Sequence, residues 1–190
     1  MAIRALTAAV LLTVCSLPAA QPAFDRSIID RHRQVYDNSC VPSAFEIVLK
    51  LTGRVPAEYF ELQDAWKNKS DGSGRDFDNV TIAGLTFHQL YAQPRRRGFP
   101  FAGLFAAIDA ELDAGRYVIT GLRSGKNMFH AWVIVGRLAN GEYRAVSKSG
   151  ADTIEVTNTR AIIRQMKGTD IVIYRPSPAA TLTSGGDARR

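Results

Sequence analysis

The chain reads as an α+β fold, with a helical N-terminal half followed by an antiparallel sheet. Three features lead there. Apolar residues recur at three- and four-residue spacing between residues 41 and 114, and short strand-like runs dominate residues 116–174. Asn140-Gly141 then marks a tight hairpin between two of those runs.

Residues 1–23 stand apart from this pattern. Arg4 is their only charged side chain, residues 5–17 are apolar, and Pro18-Ala19-Ala20 follows. A positive start, a short apolar core and a small-residue exit describe a secretory signal peptide. The competing reading is an uncleaved anchor. Cys15 lies inside this segment after Val14, where a lipoprotein site prefers a small residue, so lipidation is the weaker expectation. Removal of the segment leaves Cys40 as the one remaining cysteine, and a lone thiol in an oxidising compartment has to be buried or used. The expected location is secreted or periplasmic.

The first helix is expected over residues 41–52, where Val41, Ala44, Phe45, Val48 and Leu51 share a face, Pro42 suits the first turn and Gly53 follows the end. A second is expected over 56–67, with Tyr59, Phe60 and Trp66. A polar loop covers 68–79. Thr86 is read as the cap of a short helix carrying Phe87, Leu90 and Tyr91 and stopped by Pro94. Residues 103–114 form a clearer helix, with Gly115 as its terminator. Strands are expected over 116–122, 129–137, 142–147, 153–156 and 170–174, with a helix over 159–167 closed by Gly168. Residues 176–190, rich in Ser, Thr, Gly, Ala and Pro, read as a disordered tail. The folded domain is therefore expected over 24–175.

Composition narrows the function classes. The 190 residues are 46% hydrophobic and 22% charged, enough apolar material for one core, and no run is long enough for a polytopic membrane protein. Two Cys and three His without an HExxH motif argue against a zinc hydrolase, and there is no Gly-rich phosphate loop, so no cofactor is expected. The net charge of +6 suits an anionic cell-envelope surface. Arg95-Arg96-Arg97 is the one dense basic run and has no nucleic-acid motif around it, so it reads as a solvated loop and nucleic acid is not an expected partner.

The informative segment is Gln34-Val35-Tyr36-Asp37-Asn38-Ser39-Cys40-Val41-Pro42. Cys40 stands where the first helix begins. A free thiol is only a few per cent ionised at neutral pH, and a helix N-terminus with an imidazolium nearby favours the thiolate. The alternative is a buried structural cysteine. His130 opens the apolar run Ala131-Trp132-Val133-Ile134-Val135-Gly136, placed to pair with a thiolate and protonate a leaving amine, or else simply packed at a strand end. His32, within Asp30-Arg31-His32-Arg33, reads as part of a solvated face, and His88 as part of an amphipathic helix.

With these residues in place, residues 34–149 resemble the papain-like cysteine peptidases, and among them the bacterial C39-like peptidases. The resemblance rests on Gln34 six residues before Cys40, the cysteine opening a helix, and Leu112-Asp113-Ala114-Gly115-Arg116-Tyr117-Val118-Ile119 ahead of a late His at the head of a Val/Ile-rich strand. It implies a papain-like fold and a thiol hydrolase acting on peptide or protein amide bonds. By the same resemblance Cys40 is the nucleophile, His130 the general acid/base, and Gln34 a side-chain donor to the oxyanion beside the Cys40 main-chain N–H.

The sequence departs from that family at two points. The family usually has Cys-Gly at the nucleophile, where this sequence has Cys40-Val41-Pro42, and no acid falls where the family orients its His. Ser147 and Asp152 are the two residues read as substitutes. Two further readings follow. One is a cell-wall peptide amidase with the same chemistry, and the other a non-catalytic peptide-binding domain on the same scaffold. Oligomeric state is not legible.

Overall fold

The computed structural model describes residues 24–125 and 128–177. The expectations for the leader, Cys15 included, lie outside the described residues, and so does that for the tail beyond Ser177. Pro176, read as the start of the tail, belongs to the final strand.

The fold is α+β, built on one seven-stranded sheet whose neighbouring strands pair antiparallel. In chain order come α1 (Arg26–Arg31), α2 (Cys40–Leu51), α3 (Glu61–Trp66), a 3₁₀ turn (Gly74–Phe77), β1 (Thr81–Ile82), β2 (Leu85–Leu90), α4 (Phe101–Asp113), β3 (Val118–Gly125), β4 (Met128–Arg137), β5 (Tyr143–Ser149), β6 (Asp152–Val156), α5 (Thr159–Gln165) and β7 (Ile171–Pro176). The strands lie in the order β1-β2-β7-β3-β4-β5-β6, so the last strand is laid between β2 and β3.

The sheet separates two cores, and β4 shows why. Its alternate residues Ala131, Val133 and Val135 pack with Phe45, Val48 and Leu49 of α2, while Trp132 and Ile134 pack with Leu104, Ile108 and Leu112 of α4. A strand buried on both faces reads as the continuous apolar run seen in the sequence. On the α2 side Phe45 anchors the layer. Its ring stacks on Phe77 at 4.0 Å and meets the edge of Phe87 at 4.8 Å.

Local signals fixed several boundaries. Gly115, at φ +73°, ends α4 in a Schellman motif, with its N–H on the Leu112 carbonyl and that of Arg116 on the Glu111 carbonyl. Asn140 Oδ1 accepts the Glu142 N–H in the turn between β4 and β5.

Two expectations are corrected. Residues 85–90 form a strand, because they pair with β7 from Leu85↔Pro176 to Leu90↔Ile171, and that long-range ladder overrides a short helical pattern. The second helix is confined to Glu61–Trp66, after turns that follow Pro56. Among the described residues no helix is long and apolar enough to cross a membrane.

Candidate active site

Cys40 is the first residue of α2, and Ser39 precedes it as the N-cap. Ser39 makes no side-chain capping bond. Pro42, the third helical residue, has no N–H for it to cap. The Ser39 hydroxyl accepts the Tyr36 N–H instead, and lies 2.8 Å from the Tyr36 carbonyl and 2.7 Å from Gln63 Oε1. The N–H groups of Cys40 and Val41, which have no acceptor within the helix, are thus left at the positive end of a 12-residue helix.

A cavity of about 420 Å³ opens there. Cys40, Val41, Ile119, Gly121, His130 and Ala131 contribute to its wall. Gly121 and Ala131 are paired across β3 and β4, and two such small residues side by side make room over the sheet. The rim is polar, with Asp37, Arg95 and Asp170. Arg95 is held by its Nε–H on the Gly168 carbonyl and by the Phe129 ring, 4.1 Å from its guanidinium carbon. Phe129 and Met128 are 41% and 65% exposed, and both line the same opening.

His130 is half-buried at the start of β4. Its Nε2 lies 2.8 Å from Ser147 Oγ and 3.0 Å from the Lys148 carbonyl. Ser147 sends its own proton to the Ala131 carbonyl at 2.6 Å, so both neighbours of Nε2 are acceptors. Nε2 therefore carries the ring proton, and Nδ1 keeps its lone pair. The paired register of β4 with β5 runs only as far as Val133↔Val146, and side-chain bonds from His130 and Ser147 serve the carbonyls beyond it. Burial lowers the His130 pKa below the ordinary imidazole value, partly offset by the Lys148 carbonyl, so the ring is neutral at pH 7. The edge of Trp132 meets it at 5.8 Å between ring centroids.

The other sequence-predicted residues separate into two groups. Ser147 joins His130. Asp152 instead pairs with Ser149 across β5 and β6, and its charge acts on Lys148. Gln34 Nε2 donates to the Tyr36 and Asp37 carbonyls at 2.9 and 2.8 Å, so both amide hydrogens serve its own loop. Its Oε1 is buried without a protein partner. Cys40 and His130 reach the cavity from different sides. Cys40 enters from the first turn of α2, and His130 from the head of β4, opposite Leu122.

Sequence reasoning missed a buried polar chain behind α2. His32, read as solvated, is 1% exposed and stacks on Phe60. Lys50 Nζ donates to its Nδ1 at 2.8 Å, and its Nε2 lies 2.9 Å from Ser43 Oγ. With Nδ1 accepting from an ammonium, His32 is neutral, and its 3.9 Å approach to Glu46 is no ion pair. Desolvation, then the nearby Lys50 and Lys148 charges, push its pKa to about 3. Glu46 and Lys50, four residues apart on α2, supply opposite charges in the same buried layer. The one sequence cue was a Glu and a Lys on the buried side of an otherwise apolar helix.

Among the described residues no group of three or more His, Cys, Asp or Glu is placed to hold a metal ion. No known protein-family model matches the chain, and no curated protein is matched.

Proposed function

We propose that this protein is an exported papain-like thiol hydrolase, similar to the C39-like peptidases, that cleaves peptide or protein amide bonds. The observation that carries the reading is the single tautomer of His130. Ser147 and the Lys148 carbonyl hold the proton on Nε2 and leave Nδ1 basic, in a cavity that Cys40 also lines.

In this reading Nδ1 takes the thiol proton as Cys40 Sγ bonds to the substrate carbonyl carbon, and the carbonyl π pair moves onto oxygen. The main-chain N–H groups of Cys40 and Val41 meet that oxyanion. Gln34 is not assigned to it, because its amide hydrogens are already held by Tyr36 and Asp37. Collapse breaks the C–N bond, and the amine leaves with the proton from Nδ1. Water then attacks the thioester, giving its proton to Nδ1, and the acid departs as the thiol is restored. Ser147 and Lys148 do the orienting that an acid does elsewhere. A hydroxyl and a carbonyl orient without adding a full charge, so the imidazolium formed midway is less stabilised.

The test is labelling of the purified protein with iodoacetamide, beside assays on casein and on purified cell-wall peptide fragments. Cys40 in the native protein is expected to react faster than in the denatured chain. Release from at least one substrate is expected, and is lost in Cys40→Ala and His130→Ala. Equal native and denatured rates sink the reading. Release from cell-wall fragments alone turns it into a peptide amidase at an anionic envelope. Export is tested by N-terminal sequencing of the protein recovered outside the cytoplasm.

One observation favours a second reading, a non-catalytic peptide-binding domain. Gln34, which the resemblance gives to the oxyanion, spends both amide hydrogens on its own loop. Saturable peptide binding that survives Cys40→Ala, without any turnover, would support it.

A further inference from the structure

Gln63 of α3 is fully buried and uses both ends of its amide. Its Nε2 donates to the Arg33 carbonyl at 3.0 Å and to Glu46 Oε2 at 2.7 Å. Its Oε1 accepts the Val35 N–H at 2.7 Å and lies 2.7 Å from Ser39 Oγ. Glu46, also fully buried, accepts from the Leu62 and Gln63 N–H groups through its other oxygen, at 3.0 Å each. One side chain thereby ties α2, α3 and the segment 33–39 together just before Cys40. It also engages the hydroxyl of Ser39, the residue that leads into α2.

We propose that Gln63 is a positioning residue for Cys40. Backed by Glu46, it holds the 33–39 loop and, through the Ser39 hydroxyl, fixes the backbone that enters the first turn of α2. The main-chain donors of that turn then stay open to the cavity and the thiol stays presented beside them. This rests on the hydrolase reading of the same site. Gln63 acts through Ser39 and does not touch the reacting atoms. The pairing with Glu46 is directional. A carboxylate at 63 would face the Glu46 carboxylate, and an amide at 46 presents either N–H₂ against N–H₂ or a lost acceptor. Exchanging the two restores one donor and one acceptor across the contact.

The test is the rate at which iodoacetamide alkylates Cys40 in the native full chain, measured well below the melting temperature of each variant. Gln63→Glu and Glu46→Gln are each expected to slow alkylation about tenfold, and the double exchange to return it to within about threefold of the parent. If Gln63→Glu does not fold, Ser39→Ala removes the hydroxyl alone and is expected to slow alkylation in the same direction. Parent alkylation no faster than in the denatured chain overturns both this proposal and the hydrolase reading. Fast parent alkylation that is unchanged in Glu46→Gln and Ser39→Ala overturns the role of Gln63 alone. Slow alkylation in the singles with no recovery in the double exchange also overturns it.

Discussion

Ser147 Oγ stands 2.8 Å from His130 Nε2 and gives its own proton to the Ala131 carbonyl at 2.6 Å. The hydroxyl is thus an obligate acceptor for the imidazole. A serine here orients the imidazole without placing a charge beside it.

That difference is measurable. Ser147→Ala leaves the Lys148 carbonyl as the one acceptor, and a lost hydrogen bond of about 1 kcal/mol lowers kcat roughly fivefold. Ser147→Asp adds a negative charge beside the ring and raises the pKa of His130, seen as an upward shift of its proton NMR titration. Unchanged turnover in the first and no shift in the second would remove Ser147 from the site.

The buried chain behind α2 sets a pH dependence of stability. The pKa of His32 is depressed to about 3 from 6.5, so its contribution is complete above pH 6.5 and is lost as pH falls towards 3. That of Glu46, raised to about 6 from 4.5 chiefly by desolvation, works the other way and favours the fold as pH falls from 6 to 4.5. The larger shift belongs to His32, so the net loss between neutral pH and pH 4 is about 1 kcal/mol. Urea midpoints should fall over that interval, and His32→Gln should flatten the slope. A midpoint independent of pH in the parent would contradict the burial of a neutral imidazole.

The room over Gly121 can be filled. Nothing lies within 4 Å of the position a Cβ would take there, and the residue lines the cavity. Gly121→Val should leave the melting temperature unchanged or slightly higher, since β-branched residues suit a strand. It should raise KM about tenfold while small alkylating probes still reach Cys40. Unaltered KM would place the substrate elsewhere.

Gly168 tests the packing under the Arg95 loop. Its φ of +121° is disfavoured for other residues, and an added methyl would run into the Phe99 ring. Gly168→Ala should cost about 2 kcal/mol or more, and thermal denaturation should register it as a drop of several degrees. A neutral result would mean that Phe99 moves freely.

Residues whose structure is decided locally could be read from the sequence. Cys40 at a helix start, Gly115 at a helix end and Asn140-Gly141 at a turn each carry their signal within a few neighbours. Residues 85–90 do not. Leu85, Phe87 and Gln89 alternate while Phe87, Leu90 and Tyr91 also fit a helical face, and pairing with β7, some 85 residues later, decides between them. His32 sits among charges in the sequence, and its burial depends on Lys50, Ser43 and Phe60. In the same way Ser147 is legible as an orienter only once β5 lies beside β4.

Because β7 lies between β2 and β3, the sheet cannot close until the chain has been synthesised through residue 176. Asp170 and Val172, which line the cavity, arrive with that strand. The cysteine and the far wall of its cavity thus come from distant parts of the chain, and the cavity is complete only when both are in place.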